Sequence, residues 1–389
     1  MRAGEATVVS SSILSYKSVQ SKRGPKLHLR KLSRNNFGKL ADGTAVEAIG
    51  LTNSTGMSVC IISFGASIQA VEVADRDGSF ADVTAGYRTL DEYISQPQFF
   101  GSTVGRVANR LKDARFSLGG KDYVVPANDG RNSLHGGSQG FDKVNWEVVD
   151  CDEDDLSVTL RYVSKDGDQG YPGTLTTLAK YSLTDDNMLT VEYRATTDAP
   201  TIVNLSNHAY WNLAGEGSQY DAMDHLLTIH ADMFLPVDAE LIPTGERRNV
   251  TGSAFDFRTP KAIHSDVRNA GDEQIGFGRG YDHNWIISDR ISDAPRPMAH
   301  LEDPHSGRTM TLFSNQPGLQ FYSGNFFDGS TSGKAGKFYR MGDAIALEPQ
   351  QFPDTPNHPA FGSLDLHPGQ TYSNIISWRF GVAPKKDTP

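Results

Sequence analysis

Short segments in which apolar and polar residues alternate dominate the chain, and this pattern limits the folds available to it. Residues 156–163, for example, read Leu-Ser-Val-Thr-Leu-Arg-Tyr-Val. Alternation with a period of two is typical of a β-strand that buries one face. Other short segments rich in β-branched or aromatic residues lie at 59–64, 67–73, 175–183 and 188–195. The pattern predicts a protein built mainly of β-strands.

Turn signals separate these segments, and helical patterns are few. Gly119 and Gly120 lie between two such segments and predict a hairpin with a tight turn. Short helical patterns occur around residues 89–94 and 260–266. Because strands and helices do not alternate regularly, a parallel α/β sheet is not expected. We predict one large antiparallel all-β domain over residues 36–389, with few short helices and with long loops that carry the polar clusters.

Residues 1–35 differ in charge from the rest of the chain. They contain eight Lys and Arg residues and one acidic residue, Glu5, whereas the whole chain has a formal net charge of −10. A basic, Ser-rich segment without an apolar period predicts a flexible N-terminal extension. An organelle transit peptide, a start codon placed too far upstream, or residues added outside the natural protein would give the same pattern.

The composition disfavours several classes of protein. Net negative charge argues against a nucleic-acid partner, because a phosphate-binding surface is basic. No apolar run is long enough for a transmembrane helix. Cys60 and Cys151 lie in no disulfide or metal spacing and favour a reducing, cytoplasmic compartment. The zinc, phosphate-loop and nucleophile-elbow motifs are absent, so neither a metal nor another cofactor is expected.

Two positions are candidate proton-transfer groups. His208 lies in the stretch 200–213, where amide and hydroxyl residues could fix the tautomer of its ring, although a core histidine fits that stretch equally well. Glu348 follows the apolar run 344–347 and precedes a proline. A carboxylate that leaves a buried strand is costly unless it is paired, so Glu348 is the strongest candidate for a titrating group. A histidine and a carboxylate together suit general acid–base chemistry.

Four further clusters carry groups that suit sugar hydroxyls. Asn and Arg side chains offer several hydrogen-bond donors, glycines after a histidine allow close backbone approach, and an Asp accepts from neighbouring hydroxyls. Each cluster could by itself be an ordinary turn or surface feature. The residues concerned are Asn109, Arg110, His135, Asp282 and Gln320.

Taken in order, these motifs resemble those of the aldose 1-epimerase (galactose mutarotase) family. The resemblance covers about residues 37–380 and rests on the segments 64–68, 73–78, 104–110, 132–137, 140–143, 204–213, 280–284 and 348–354. It implies a large antiparallel β-sandwich, the galactose mutarotase-like supersandwich, with the sugar in an open cleft. It also implies interconversion of the α and β anomers of free hexoses of the glucose or galactose type, without a cofactor or a metal.

The resemblance implies roles for individual residues. His208 would be the general acid and Glu348 the general base, while Tyr210 and Trp211 are interpreted as packing that holds the His208 loop. The partner would be a small-molecule sugar, with no nucleic acid and no membrane, and the protein a monomer or homodimer. The implied sugar contacts are Asn109, Arg110, His135, Asp282 and Gln320.

Two other functions stay open at this point. A non-catalytic carbohydrate-binding or sensory protein on the same scaffold would need neither an acid nor a base, so the presence of both His208 and Glu348 disfavours it. Glycoside hydrolysis usually requires two carboxylates across the scissile bond, and Asp282 and Glu348 could supply them.

Overall fold

The computed structural model describes residues 29–96 and 98–384. The first fifteen strands within them are β1 (Lys31–Lys39), β2 (Ala45–Thr52), β3 (Ser58–Ile62), β4 (Ser67–Ala74), β5 (Phe80–Asp82), β6 (Thr103–Val104), β7 (Arg110–Leu111), β8 (Arg115–Leu118), β9 (Lys121–Val124), β10 (Ser133–Leu134), β11 (Glu147–Asp152), β12 (Ser157–Ser164), β13 (Leu175–Leu183), β14 (Met188–Thr197) and β15 (Thr201–Ile202).

The second half of the chain adds as many strands again. They are β16 (Ser206–Asn207), β17 (Tyr210–Trp211), β18 (Leu226–Ile229), β19 (Met233–Leu235), β20 (Arg248–Asn249), β21 (Lys261–Ala262), β22 (Asp282–Ile286), β23 (Arg296–Glu302), β24 (Arg308–Ser314), β25 (Gly318–Tyr322), β26 (Asp328–Ser332), β27 (Phe338–Arg340), β28 (Ile345–Gln350), β29 (Asp365–Leu366) and β30 (Tyr372–Val382).

The helices of the described residues are short. Two are α-helical, α1 (Leu90–Ser95) and α2 (Glu273–Gly278). Single turns of 3₁₀ helix lie at Lys112–Ala114, Phe141–Lys143, Asp168–Gly170, Ala222–Asp224, Ile263–Ser265, Thr355–Asn357 and Pro359–Phe361. Across residues 29–96 and 98–384, none of the helices has the length and apolar character that crossing a membrane requires.

Three large sheets contain most of the strands. The first has the order β1-β2-β3-β4-β5, the second β11-β12-β13-β14-β30-β24-β23-β18-β21, and the third β17-β28-β25-β22-β19-β20. Their strand pairs are antiparallel. The predicted all-β, antiparallel fold class is therefore confirmed.

The nine-stranded sheet packs against both of the other sheets and forms a sandwich. Trp378 of β30 and Trp211 of β17 bring their ring centroids to 5.6 Å across one interface. Strands β13 and β30 contact β2 and β4 across the other. One continuous apolar core contains side chains from all three sheets, including Ile61, Trp285 and Trp378, each with less than 2% of its surface exposed. Burial on this scale is the main stabilising contribution to the fold.

Local patterns predicted several elements closely. The segments expected at 175–183 and 188–195 form β13 and β14, and residues 156–163 form β12 displaced by one residue. Gly119 and Gly120 have φ angles of 58° and 78°, the left-handed pair that a tight hairpin between β8 and β9 requires. Helix α1 begins at the capping box of Thr89 and Glu92, within the stretch predicted to be helical.

Two sequence-based boundaries differ from the structure. Residues 260–266 were expected to be helical but form strand β21, which pairs with β18, and a single 3₁₀ turn. Pairing at the sheet edge outweighs the weak local helical preference there. Strand β1 begins at Lys31, so residues 31–35 of the expected extension pair with β2. Residues 1–28 of that extension lie outside the described residues.

Candidate active site

Three polar side chains of the candidate site, Asp282, Gln320 and Glu348, share one face of the six-stranded sheet. Side chains two residues apart on a strand point to the same face. In the register of the sheet, Gln320 lies opposite both Asn284 and Glu348, and Tyr322 lies opposite Asp282. The intervening residues, such as Phe321 and Leu347, enter the apolar core. The alternation of β22, β25 and β28 therefore places the polar set on one face and the core on the other.

Glu348 is held in a fully buried strand, and only 2% of its surface is exposed. Its Oε1 lies 3.6 Å from Nε2 of His208. Its other carboxylate oxygen, Oε2, makes no hydrogen bond within the protein. The two groups that the family resemblance casts as base and acid thus face each other with one carboxylate oxygen unpaired.

His208 lies between β16 and β17, in a segment bonded to the loop at residues 99–102. Its N–H donates to the carbonyl of Ser102 at 2.8 Å, and its carbonyl accepts from the N–H of Gly101 at 3.0 Å. The amide of Asn207 donates to the carbonyl of Gly101 and accepts from the N–H of Ala209. The backbone position of the histidine is therefore fixed on both sides by hydrogen bonds.

A second set of hydrogen bonds joins the His208 segment directly to the Glu348 strand. Asn204 donates to the carbonyl of Gln351 at 3.2 Å and accepts from its N–H at 3.0 Å. Ser206 Oγ donates to the carbonyl of Pro349 at 2.8 Å. Asn204 and Ser206 therefore set the spacing of the histidine and the glutamate, a role that the sequence analysis did not find.

Asn109 and His135 form a second unit on the wall of the cleft. The N–H of Asn109 donates to Nδ1 of His135 at 3.2 Å, and the N–H of His135 donates to the carbonyl of Asn109 at 3.0 Å. Because Nδ1 is an acceptor, the neutral ring carries its hydrogen on Nε2. His135 can therefore donate a hydrogen bond through Nε2.

Arg110 and Asp282 form a buried, oriented pair. Arg110 Nε donates to Asp129 at 2.8 Å, and its Nη1 lies 3.5 Å from Asp282 Oδ2. Gln320 Nε2 donates to the other oxygen of Asp282 at 2.7 Å. With both oxygens engaged, Asp282 is oriented as a hydrogen-bond acceptor. This arrangement disfavours Asp282 as the second free carboxylate that glycoside hydrolysis would require.

These side chains line a single cleft of about 140 Å³. Six of the seven candidate residues line it directly, and Gln320 lies beneath it, in contact with Asp282. Aromatic residues complete the wall. The lining residues are Gln98, Phe99, Asn109, Arg110, Leu134, His135, His208, Tyr210, Asp282, Tyr322, Phe326 and Glu348.

Phe99 is a lining residue that the sequence analysis missed. Its ring stacks on His208 at a centroid distance of 5.6 Å and an angle of 26°, and it lies 4.7 Å from the ring of His135. Its φ angle is 60°, a left-handed conformation that is an outlier for a bulky residue. Such outliers occur preferentially at functional sites. No local pattern in the sequence marks Phe99, because the loop conformation depends on contacts with distant segments.

Tyr210 and Trp211 have different surroundings although they are adjacent. The ring of Tyr210 lies 4.8 Å from that of His208 and lines the cleft. Trp211 points to the opposite face and packs on Trp378 and Phe380 in the core. The expected packing role fits Trp211, whereas Tyr210 belongs to both the packing and the cleft wall.

Burial shifts the protonation of the three central groups toward their neutral forms. Loss of solvation lowers the pKa of His208 to about 4. Loss of solvation, with the nearby positive charges of His208, Arg110 and Lys143, holds the pKa of His135 well below its ordinary value. Loss of solvation, together with the negative charge of Asp282 and against that of Arg110, raises the pKa of Glu348 well above its usual range.

When the acid–base pair holds a single proton, these shifts favour its placement on Glu348 over His208. A charged pair in which each group stabilises the other would need Glu348 to be ionised when His208 gains its proton. At the pH where His208 would gain a proton, however, Glu348 is already neutral and offers it no charge. A neutral pair and an ion pair contain the same number of protons, so one proton transfer across 3.6 Å converts one into the other.

Chemically, the cleft combines a proton donor and acceptor at short range with oriented hydrogen-bonding groups that suit a polyhydroxylated ligand. The side chains of His135, His208 and Glu348 also offer potential metal-ligand atoms that all lie within 4.8 Å of one another.

Comparison with known proteins identifies the family. The family model for aldose 1-epimerase matches residues 47–379. Galactose mutarotase from Rattus norvegicus is 42% identical over 90% of this chain and 99% of its own length. Aldose 1-epimerase from Escherichia coli K12 is 38% identical over 87% of this chain and 96% of its own. The crystal structure of an aldose epimerase homologue from C. elegans, 32% identical, superposes with a TM-score of 0.80 over 87% of this chain and 100% of its own.

These matches extend over nearly the whole of the sandwich and include the segments that carry the cleft residues. The chain belongs to the aldose 1-epimerase family. It is a carbohydrate isomerase that interconverts sugar anomers, as the family resemblance of the sequence implied.

Proposed function

We propose that His208 and Glu348 catalyse the interconversion of the α and β anomers of free hexoses of the galactose and glucose type. The observation that carries this proposal is the 3.6 Å approach of two buried, oppositely acting proton-transfer groups on the wall of one cleft. The relatives named galactose mutarotase and aldose 1-epimerase support the choice of sugar.

The reaction begins with the closed sugar and the pair in its charged form. Glu348 removes the proton from the O1 hydroxyl, the C1–O5 bond breaks, and His208 Nε2 donates its proton to O5. The product is the open-chain aldehyde, with Glu348 protonated and His208 neutral. After rotation about the C1–C2 bond, the same steps run in reverse and close the ring on the other face. General acid–base catalysis contributes roughly 10²–10⁴-fold to such reactions.

The electrostatics of the cleft favour this course. The neutral pair that burial stabilises has the same protonation as the open-chain state. The protein environment therefore stabilises the state reached by ring opening more than the charged pair that precedes it. Differential stabilisation of this kind lowers the barrier to opening.

The remaining cleft residues hold the pyranose in place. Asp282, oriented by Arg110 and Gln320, accepts hydrogen bonds from sugar hydroxyls, and Asn109 and His135 add further polar groups to the cleft. Such positioning keeps O1 and O5 within reach of the two catalysts for as long as the ring is bound.

The wider setting belongs to the same proposal. Residues 36–389 act as one domain, which the continuous core supports. Residues 31–35 join its first sheet through β1, and the N-terminal residues before them take no part in the reaction. The protein acts in the cytoplasm as a monomer or homodimer on a small-molecule sugar, without nucleic acid, membrane, metal or another cofactor in the reaction.

Polarimetry tests the proposal. Freshly dissolved α-D-galactose and α-D-glucose should reach their equilibrium rotation faster with the protein present. His208→Asn should lower this acceleration about 100-fold or more. The matched control is His230→Asn, since His230 is exposed and lies outside the cleft. An unchanged rate for both sugars with the folded wild-type protein would contradict the proposal.

A further inference from the structure

Three potential metal ligands converge on the cleft wall. They are His135, His208 and Glu348, which expose 5%, 5% and 2% of their surfaces. One ligand atom from each lies within 4.8 Å of the other two. The proposed anomer interconversion uses two of them to move a proton and leaves their joint capacity to bind a cation unused.

One ligand pair is spaced nearly as a small transition-metal ion requires, and the three ligand atoms, all within 4.8 Å of one another, are near enough for their side chains to move onto one ion. Zinc binds His nitrogen and carboxylate oxygen at about 2.0–2.2 Å, which puts neighbouring ligands of a tetrahedral site roughly 3.3 Å apart. His208 Nε2 and Glu348 Oε1 already lie 3.6 Å apart. Two His and one Glu, with a fourth position open to a cavity, form a known ligand set of accessible zinc sites.

The incomplete hydrogen bonding of Glu348 also favours a bound cation. Glu348 Oε2 is buried and has no partner in the protein, and an unpaired buried oxygen is energetically costly. A bound cation would satisfy the carboxylate. The nearby carboxylate of Asp282 adds a favourable charge, whereas Arg110 opposes it.

We propose that the cleft contains a latent zinc site formed by His135, His208 and Glu348, and that zinc bound there inhibits the enzyme by excluding the sugar. Binding would displace the proton of Glu348 to solvent. The ring proton of His135 would move from Nε2 to Nδ1, which breaks the 3.2 Å hydrogen bond from the N–H of Asn109. The site is inhibitory because it occupies both proton-transfer groups, and it goes beyond the proposed function.

A surface cluster provides the contrast. His264 Nδ1 lies 3.2 Å from Asp224 Oδ1, and His305 Nε2 lies 3.0 Å from the other oxygen, Oδ2. These three side chains are 35–58% exposed. Any weak zinc binding at exposed histidines should therefore respond to His305→Gln and leave the cleft unaffected.

The test uses Zn²⁺ and Co²⁺ on the full-length protein without relying on activity. Calorimetry should give one Zn²⁺ per chain at the cleft, and Co²⁺ should give the intense visible absorption of a four-coordinate ion. The non-reacting sugar 1,5-anhydro-D-galactitol should displace the metal. His135→Gln and Glu348→Gln should each weaken metal binding at least tenfold, whereas His305→Gln should not.

Thermal unfolding would first establish that each variant is folded, and displacement by the sugar analogue in the wild type needs no variant. Zn²⁺ binding that survives both cleft substitutions, ignores the sugar analogue or is lost in His305→Gln would overturn the proposal. Anomer interconversion without metal binding would overturn this inference alone. Metal binding at the cleft without anomer interconversion would overturn the proposed function alone.

Discussion

Within residues 29–96 and 98–384, two pairs of a histidine and a carboxylate are buried, and they differ in how completely the carboxylate is hydrogen-bonded. His208 and Glu348 lie 3.6 Å apart on the cleft, and His225 and Asp303 lie 4.0 Å apart in the interior. Burial lowers the pKa of each histidine to about 4. The histidines are thus alike, and the difference lies with the carboxylates.

Asp303 is satisfied by hydrogen bonds within the protein. It accepts from the N–H of Ser306 at 2.8 Å and from the N–H of His305 at 3.2 Å. Burial alone would raise its pKa, but the Ser306 hydrogen bonds and the charge of His225 hold it below the ordinary value. His225 in turn accepts the N–H of Leu213 at 2.8 Å. This pair holds backbone in place, and its buried atom without a hydrogen bond is Nδ1 of His225, while both oxygens of Asp303 have partners.

Glu348 has the opposite character. Burial raises its pKa, one of its oxygens has no partner, and the cleft gives a ligand access to it. Comparison of the pairs teaches that burial and proximity do not by themselves define an acid–base site. The distinguishing feature is a buried carboxylate that lies beside a cleft and whose hydrogen bonding is left incomplete.

The two pairs should differ most in how strongly a substitution of their carboxylate lowers the reaction rate. Glu348→Gln removes the base and should lower the rate of anomer interconversion about 1000-fold, whereas Asp303→Asn, an equally conservative amide substitution, should change it only a few-fold. Polarimetry at 25 °C on folded protein measures both. Equal losses in the two variants would contradict the distinction between a working pair and a structural one.

The free energy of unfolding should rank the two substitutions the other way: Asp303→Asn should destabilise the protein and Glu348→Gln should not. At pH 7 Asp303→Asn should lower the free energy of unfolding by about 1–3 kcal/mol, because donors from Ser306 and His305 lose an ionised acceptor. Glu348→Gln should raise it by about 1 kcal/mol, because the raised pKa of Glu348 makes the wild-type side chain less favourable in the folded state at pH 7 than a neutral one. Urea unfolding between pH 3 and 8 measures both.

The two substitutions should also differ in how their effect on the free energy of unfolding changes with pH. The raised pKa of Glu348 adds stability below its unfolded value that is lost as pH rises, so the advantage of the Gln variant should shrink toward pH 4. The depressed pKa of Asp303 adds stability at higher pH that is lost as pH falls, so the deficit of the Asn variant should shrink below about pH 4. Parallel pH profiles for the two variants would be inconsistent with these shifts.

The smallest expected effect concerns the wall around His208. In the wild type the rate should fall on the acid side near pH 4, which is the acid limb of the rate profile. There His208 becomes protonated while Glu348 is already neutral, so neither group can act as the base. Phe99→Leu removes the stacked ring and readmits water, so the limb should move up by roughly one unit toward the ordinary histidine pKa. Phe326→Leu, a change farther out on the rim, should leave the limb in place. Initial rates from pH 3.5 to 9 would show the difference, and an unshifted limb in Phe99→Leu would argue against this role.

Many strands and turns of the sandwich could be predicted because short segments of sequence specify them. The alternation in residues 175–183 and the glycine pair at 119–120 specify a strand and a turn without reference to distant residues. The prediction of a helix at 260–266 was wrong because a non-local contact decided the conformation. Lys261 and Ala262 pair with β18, a strand distant in sequence. Candidate site residues came from ordered motifs and their family resemblance, and Phe99, which belongs to no such motif, was missed.

The sequence by itself determined the all-β class, the principal turns and the family, because periodicity and ordered motifs are carried by residues close together in the chain. It left His208 balanced between a core and a working histidine. Only the tertiary structure decided that His208 faces a carboxylate with one unpartnered oxygen, Oε2 of Glu348, while His225 faces a carboxylate whose two oxygens both accept hydrogen bonds. The physical reason is that solvation and hydrogen-bond partners come from segments far apart in sequence, and these set where the proton resides.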